Sequence, residues 1–243
     1  MEESKVWLNL LNDQLPEVQV EKDNHEIATI CSRARTLLKQ TNGDTLPIDN
    51  ILEILEELHH LDKAVTSWRK GPNWSFRTID GSDLLDTQNS GVIAGFPMKI
   101  QLHKDIWIAY EWNYHRTARL IMHEHLLQCI GRVAHTCRQN TNTQTRLESL
   151  QQKSRNTIQA MASDILSTVP QSFGDIDQDG NILDDGVSPR TSGIGAYFLL
   201  WPIKIVKRSQ TVTPEQQKTA ETVFERIRER TGMKATLGDL SCI

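Results

Sequence analysis

The sequence predicts an all-α fold: a single helical domain of about seven helices around one long central helix. Three observations carry this. Residues 103 to 136, HKDIWIAYEWNYHRTARLIMHEHLLQCIGRVAHT, hold helical character without a proline, and their one glycine, Gly131, comes late. Apolar residues recur at spacings of three, four and seven in several further stretches, which is the period of one helix face. No two segments alternate apolar and polar residues convincingly enough to pair as a sheet.

The chain in order begins with a short helix over residues 4 to 14, carrying Val6, Leu8, Leu10 and Leu11, and then a connector, EVQVEKDNHE. A second helix is expected from about Asn24 to Gln40, with Ile27, Ile30, Ala34, Leu37 and Leu38 on one side and TNGD as its stop. The third follows Pro47, its stripe running from Ile48 through Leu55 and Leu61 to Trp68 while Glu53, Glu56, Glu57 and Lys63 fill the outer face.

From Arg69 to Gln101 the period is lost, and six Gly or Pro residues break the segment into an irregular loop. A loop this long needs anchors in a compact domain, and Trp74, Phe76, Ile79, Leu84, Leu85 and Phe96 are the candidates. The central helix from His103 to Thr136 would be a rod of roughly 50 Å, apolar on more than one face and so packed on several sides.

After it, RQNTNTQTR reads as a polar link and Arg146 to Thr168 as a helix closed by Pro170. Residues 174 to 195 are acidic and glycine-rich, an expected exposed, flexible loop. The run AYFLLWPIKIVKR is then a buried helix kinked at Pro202. Thr213, Pro214 and Gln216 spell the N-terminus of the last helix, with Gly232 past its end. Trp112 and Trp201, each inside an apolar helical run, are expected in the core.

Composition bounds the function. The chain has 243 residues, enough for a sizeable core in one main domain, and no apolar run approaches the about 20 residues a membrane span needs. Its N-terminus is acidic where a signal peptide would be basic, so the protein is expected inside the cell. The four cysteines, Cys31, Cys129, Cys137 and Cys242, contain no CxxC pair, which favours a reduced, metal-free chain. With 31 acids against 27 bases there is no general attraction to nucleic acid.

Candidate chemistry is sparse. His123, Glu124 and His125 miss the zincin pattern, which needs histidines at i and i+4 to share a face; His115 and His123 share one but stand about 12 Å apart. The loop DIDQDGNILDDG imitates a calcium loop through Asp175, Asp177, Asp179, Gly180 and Ile182, but its twelfth position is Gly186 where a bidentate Glu belongs. Tight calcium binding is not expected. No catalytic motif, metal site or cofactor is expected elsewhere. The remaining candidate is a polar cluster on the central helix, Trp112, Asn113, Arg116 and Arg119. These residues could line a ligand pocket, or pair with acids of neighbouring helices and fix the packing.

Several stretches, FPMKIQLHKDIWIAYEWNYHRTARLIMHEHLLQC, DILSTVPQSFG, YFLLWPI, ERIRERTGMKA and LDKAVTSWRKGPNW, resemble the C-terminal regulatory domain of fungal binuclear zinc cluster transcription factors. In that family the central helix carries Trp-Asn, an aromatic, an Arg and a further Arg three residues on. Here these are Trp112, Asn113, Arg116 and Arg119, with His115 where the family usually has Tyr. The Val-Pro before an apolar residue and Gly is matched by Val169, Pro170, Phe173 and Gly174. The family reads DNA through an N-terminal six-cysteine, two-zinc cluster, a pattern that these residues do not contain.

The resemblance implies a non-enzymatic transcriptional regulator or co-regulator without its own DNA-binding module, in a fungus, controlling genes such as those of a secondary-metabolite cluster. The implied partner is a DNA-binding transcription factor, with a small-molecule effector as a second kind and no membrane contact. The nucleus is the expected compartment and the cytoplasm the alternative. The competing reading is a helical small-molecule-binding protein or enzyme that has repurposed the inter-helix cavity near Arg116 and Arg119.

Overall fold

The computed structural model describes residues 16–39, 52–57, 60–61, 74–82, 97–136, 141–183 and 189–231. The fold is all-α with one small hairpin. In chain order the elements are α1 (Pro16–Lys39), β1 (Phe76–Asp80), β2 (Lys99–His103), α2 (Ile106–Thr136), α3 (Thr141–Ser167), α4 (Val169–Phe173), α5 (Pro189–Arg208) and α6 (Pro214–Thr231). Residues 52–57 and 60–61 are also helical. The expected helix at 4–14, most of the 69–101 loop with Leu84, Leu85 and Phe96, and the Gly232 stop lie outside the described residues.

The chain forms two compact units. The first comprises residues 1–74 and 117–159, the second residues 75–116 and 160–243. In the first unit α1 packs with the 52–61 stretch and with residues of α2 and α3, burying Ile27, Ile30, Ala34, Ile54, Leu55, Leu61, Met122, Leu126, Ile130, Val133 and Leu147 in one cluster. Ile27, Ile30, Ala34, Leu55 and Leu61 lie on the stripes that the helical period marks out, whereas Met122, Leu126 and Val133 of α2 were not singled out by it. Cys31 and Cys129 lie in the same cluster as free thiols, and burial pushes both up to about 11, so they stay protonated and behave as core side chains.

Several boundaries differ from expectation. Helix α1 begins at Pro16, eight residues before Asn24, because proline suits a first helical turn and Val20 continues the buried stripe backwards from Ile27. The supposed connector is therefore helical. Helix α3 likewise starts at Thr141, inside the stretch expected to be a polar link.

The expected irregular loop contains a strand and runs into a second. Strands β1 and β2 pair antiparallel, with Phe76 opposite His103, Thr78 opposite Gln101 and Ile79 opposite Ile100. One face carries Ile79, Ile100 and Leu102, which cluster with Ile176 and Ile182. The other presents Phe76, Gln101 and His103. Helix α2 accordingly starts at Ile106 instead of His103, capped by Asp105, whose Oδ1 accepts the Ile108 N–H at 3.0 Å.

The acidic segment is folded back on itself. Ile176 bridges Ile182, Gly180 turns with φ of 88°, and Asp175 and Ile176 are buried, so the first part of the expected exposed loop packs into the fold. Helix α5 already begins at Pro189. It continues through Pro202, and it buries Ala196, Leu199, Ile203 and Val206. Trp201 falls off that stripe and is 37% exposed, which corrects its assignment to the core; Trp112 is buried as expected. Helix α6 opens with a reciprocal cap, Gln216 N–H to Thr213 Oγ1 at 3.2 Å and Thr213 N–H to Gln216 Oε1 at 2.9 Å.

Candidate functional site

The second unit assembles three of the four polar candidates around Arg116. Pleating sends Gln101 and His103 to the same side of β2, and helical spacing puts Trp112, Asn113 and Arg116 on the buried side of α2. Arg116 is 1% exposed. Its Nη2 donates to Gln101 Oε1 at 2.6 Å, and its Nη1 donates to Asn113 Oδ1 at 3.1 Å and to the Asp164 carbonyl at 3.3 Å. The guanidinium lies over the Trp112 ring at 5.0 Å and the Phe76 ring at 5.7 Å, two faces that favour a cation.

The net spreads outward from there. Asn113 Nδ2 donates to Thr168 Oγ1 at 2.7 Å, and Thr168 Oγ1 in turn donates to the Ile165 carbonyl at 2.8 Å. Gln101 Nε2 donates to Asp164 Oδ1 at 3.0 Å, while Asp164 Oδ2 stands 3.9 Å from Arg116 Nε. Gln171 clips the strand to α4, donating to the His103 carbonyl at 2.7 Å and accepting its N–H at 2.8 Å. Arg119, one turn further along α2, is buried as well and falls in the first unit.

His103 is the unexpected member. Its ring packs against Phe76 with centroids 5.1 Å apart, it is 1% exposed, and neither ring nitrogen meets a hydrogen-bond partner among the described residues. Burial first, and the nearby Arg116 charge second, push it down to about 3. The imidazole is thus neutral at physiological pH. The sequence signal for it was the alternation in KIQLH, which the absorption of His103 into the helix concealed.

What this arrangement does chemically is hold a buried cation without a ligand. The fork of Arg116 is taken by two side-chain amides and a carbonyl and its face by two rings, so the cluster is a filled packing node. Among the described residues of the first unit, an open groove of about 390 Å³ is lined by Glu26, Thr29, Ile30, Arg33, Glu57, His60 and Leu61, where Arg33 and Glu57 pair with each other.

The other candidates are committed as well. The Asp175 carboxylate receives both Nη groups of Arg226, whose guanidinium lies 4.1 Å over the Phe173 ring. Asp177 accepts the N–H groups of Asp179 and Asn181 and the Asn181 side-chain amide, and those bonds, the Asn181 side chain foremost, hold its carboxyl below the usual range. This calcium-like loop spends its first-position acid on Arg226 and uses its third-position acid, Asp177, to close its own turn. His115 and His123 are buried on α2, and among the described residues no three His, Cys, Asp or Glu side chains are grouped to hold a metal.

The chain matches no family model, no curated protein and no solved structure. Function therefore has to be argued from the fold and from these residues. Among the described residues no helix is long and apolar enough to cross a membrane.

Proposed function

We propose that the protein is a transcriptional regulator or co-regulator of the fungal zinc cluster regulatory-domain type, acting through a protein partner that holds the DNA. The single observation that supports this reading over a catalytic one is the filled cluster at Arg116. The residues that carry the family resemblance, Trp112, Asn113 and Arg116, serve as one packing node between β2, α2 and the end of α3. An enzyme or effector site at the same place would need those donors free to face a cavity.

The test is tethering. Fused to an unrelated DNA-binding module in a fungal host, the chain should raise or lower a reporter several-fold relative to the module alone. A reporter that stays level in both directions would sink the reading. A second reading, small-molecule binding, finds its support in the first unit, where Arg33, Glu57 and His60 converge on the groove. A ligand there should raise the melting temperature of the parent chain, and His60→Ala with Arg33→Ala should abolish that rise.

A further inference from the structure

The first unit holds a second cavity, where the helical stretch at 52–57 packs against α3. It has a volume of about 260 Å³, and among the described lining residues it shares only His60 with the open groove. Each helix gives it two leucines at i and i+3, Leu52 and Leu55 from one and Leu147 and Leu150 from the other, so the four face one another along a single seam. Leu55 and Leu147 are buried in the core cluster, and the partly buried Leu52 and Leu150 pack against it. The floor of the cavity is therefore hydrocarbon.

Its rim is polar. Glu56 and Arg146 also line it and are joined there, Arg146 Nη2 donating to Glu56 Oε1 at 2.8 Å. Both side chains are well exposed, at 65% and 63%, and an ion pair in water contributes little and is readily exchanged. The bond uses one of the five N–H donors of a guanidinium. His60, exposed on the same rim, adds a ring N–H. Donors thus outnumber acceptors where the cavity meets solvent.

We propose that this cavity binds a small monocarboxylate with a hydrocarbon tail, the tail on the four leucines and the carboxylate on Arg146 with His60 beside it. The rim selects the head group. A guanidinium with donors to spare takes a second carboxylate on its other edge, and Glu56 can yield its share to water at little cost. An ammonium head would find only Glu56, already answered by its arginine, and would stand beside a like charge. A hydroxyl head would gain nothing from the charge of Arg146. The volume lies just under the roughly 300 Å³ at which drug-sized pockets begin, so it suits a tail and head of about ten non-hydrogen atoms together, the size of octanoate. The inference goes beyond both functional readings, since neither uses Arg146 or these leucines.

Calorimetric titration of the full chain with octanoate, octanol and octylammonium tests it. Octanoate should bind with a Kd below about 1 mM and at least about tenfold more tightly than either of the others. Arg146→Gln, on an exposed side chain, should weaken octanoate at least about tenfold and bring it level with octanol, while Glu56→Gln, which removes the competing carboxylate, should not weaken it. Leu150→Trp should fill the seam and abolish binding, with the far-ultraviolet helical signal as the check that the chain still folds; if it does not fold, Arg146→Gln decides the matter alone. Octanoate binding weaker than about 1 mM overturns the proposal. So does octanol binding as tightly, which would make the cavity a purely apolar one, or a preference for octylammonium, which would make Glu56 the anchor. Octanoate affinity indifferent to both Arg146→Gln and a folded Leu150→Trp would place the ligand elsewhere on the chain and overturn it equally.

Discussion

At the scale of single residues, the neighbourhood of Arg116 sets two outcomes that differ in sign. A buried guanidinium whose partners are mostly neutral is costly to disturb, because removing it leaves Gln101 Oε1 and Asn113 Oδ1 without their donor inside the protein. Arg116→Met should cost about 3 kcal/mol or more in urea unfolding, and Arg116→Lys should recover little of it, since an ammonium cannot fork to both amides while lying on two rings. Recovery by lysine to within about 0.5 kcal/mol would show that charge alone matters there. His103 behaves in the opposite way. Its folded form binds a proton only near pH 3, whereas the unfolded chain takes one up near 6.5, so between those values the unfolded state holds more protons. The neutral imidazole thus favours the fold above pH 6.5, and stability falls by up to about 1.4 kcal/mol per pH unit as pH drops toward 3. His103→Phe keeps a ring against Phe76 and removes two nitrogens that lack partners. It should hold or raise stability at pH 7 and flatten the loss between pH 6.5 and 4.5; an unchanged slope would show that the acid limb comes from other groups.

At the scale of elements, two glycines in helices should respond oppositely to alanine. Gly131 in α2 is exposed, and an added methyl group meets nothing within 4 Å, so Gly131→Ala should stabilise by about 0.5–1 kcal/mol through the unfolded chain. At Gly195 the methyl would stand 1.8 Å from the Ser172 carbonyl and 2.7 Å from Ile106 Cδ1, so α5 can approach α4 this closely only with glycine. Gly195→Ala should cost several kcal/mol, or fail to fold, in the same thermal unfolding series; equal melting temperatures for the two variants would contradict the close approach. These elements also mark how far the sequence could be read. Where a stripe was apolar on one side only, as from Ile27 to Ala34, period and burial agree. The reading weakened where helices were apolar all round, so α5 gave no way to tell Leu199 from Trp201, and where strands were short. KIQLH is a strand of five residues, exposed only at Lys99; the expected irregular loop took its first three residues and the expected central helix took His103. Trp112, Asn113 and Arg116 were legible as a cluster, but Gln101, His103, Asp164 and Thr168 were not, because they come from separate elements and meet only in the fold.

At the scale of the whole molecule, we propose from the charge distribution that these 243 residues do not read a DNA sequence unaided. Sequence reading needs side chains at base edges in the major groove, backed by several Lys or Arg contacts to phosphate. The chain as a whole is acidic by four charges, and its densest basic stretch, Lys204 to Arg208, is largely spent on its own fold. Lys204 is buried, and Lys207 lies 3.3 Å from Glu221 and 4.9 Å from the centre of the Phe224 ring. Arg116 is likewise withdrawn from the surface, enclosed by its amides and rings, and the half-buried Arg226 is tied to Asp175. The purified chain at micromolar concentration should therefore shift no promoter fragment at 50 mM salt, the condition most favourable to phosphate contacts. Binding that appears at low salt and falls steeply by about 200 mM would reveal a phosphate footprint that the fold does not suggest. Binding that survives competitor DNA would overturn the proposal that a separate partner holds the promoter.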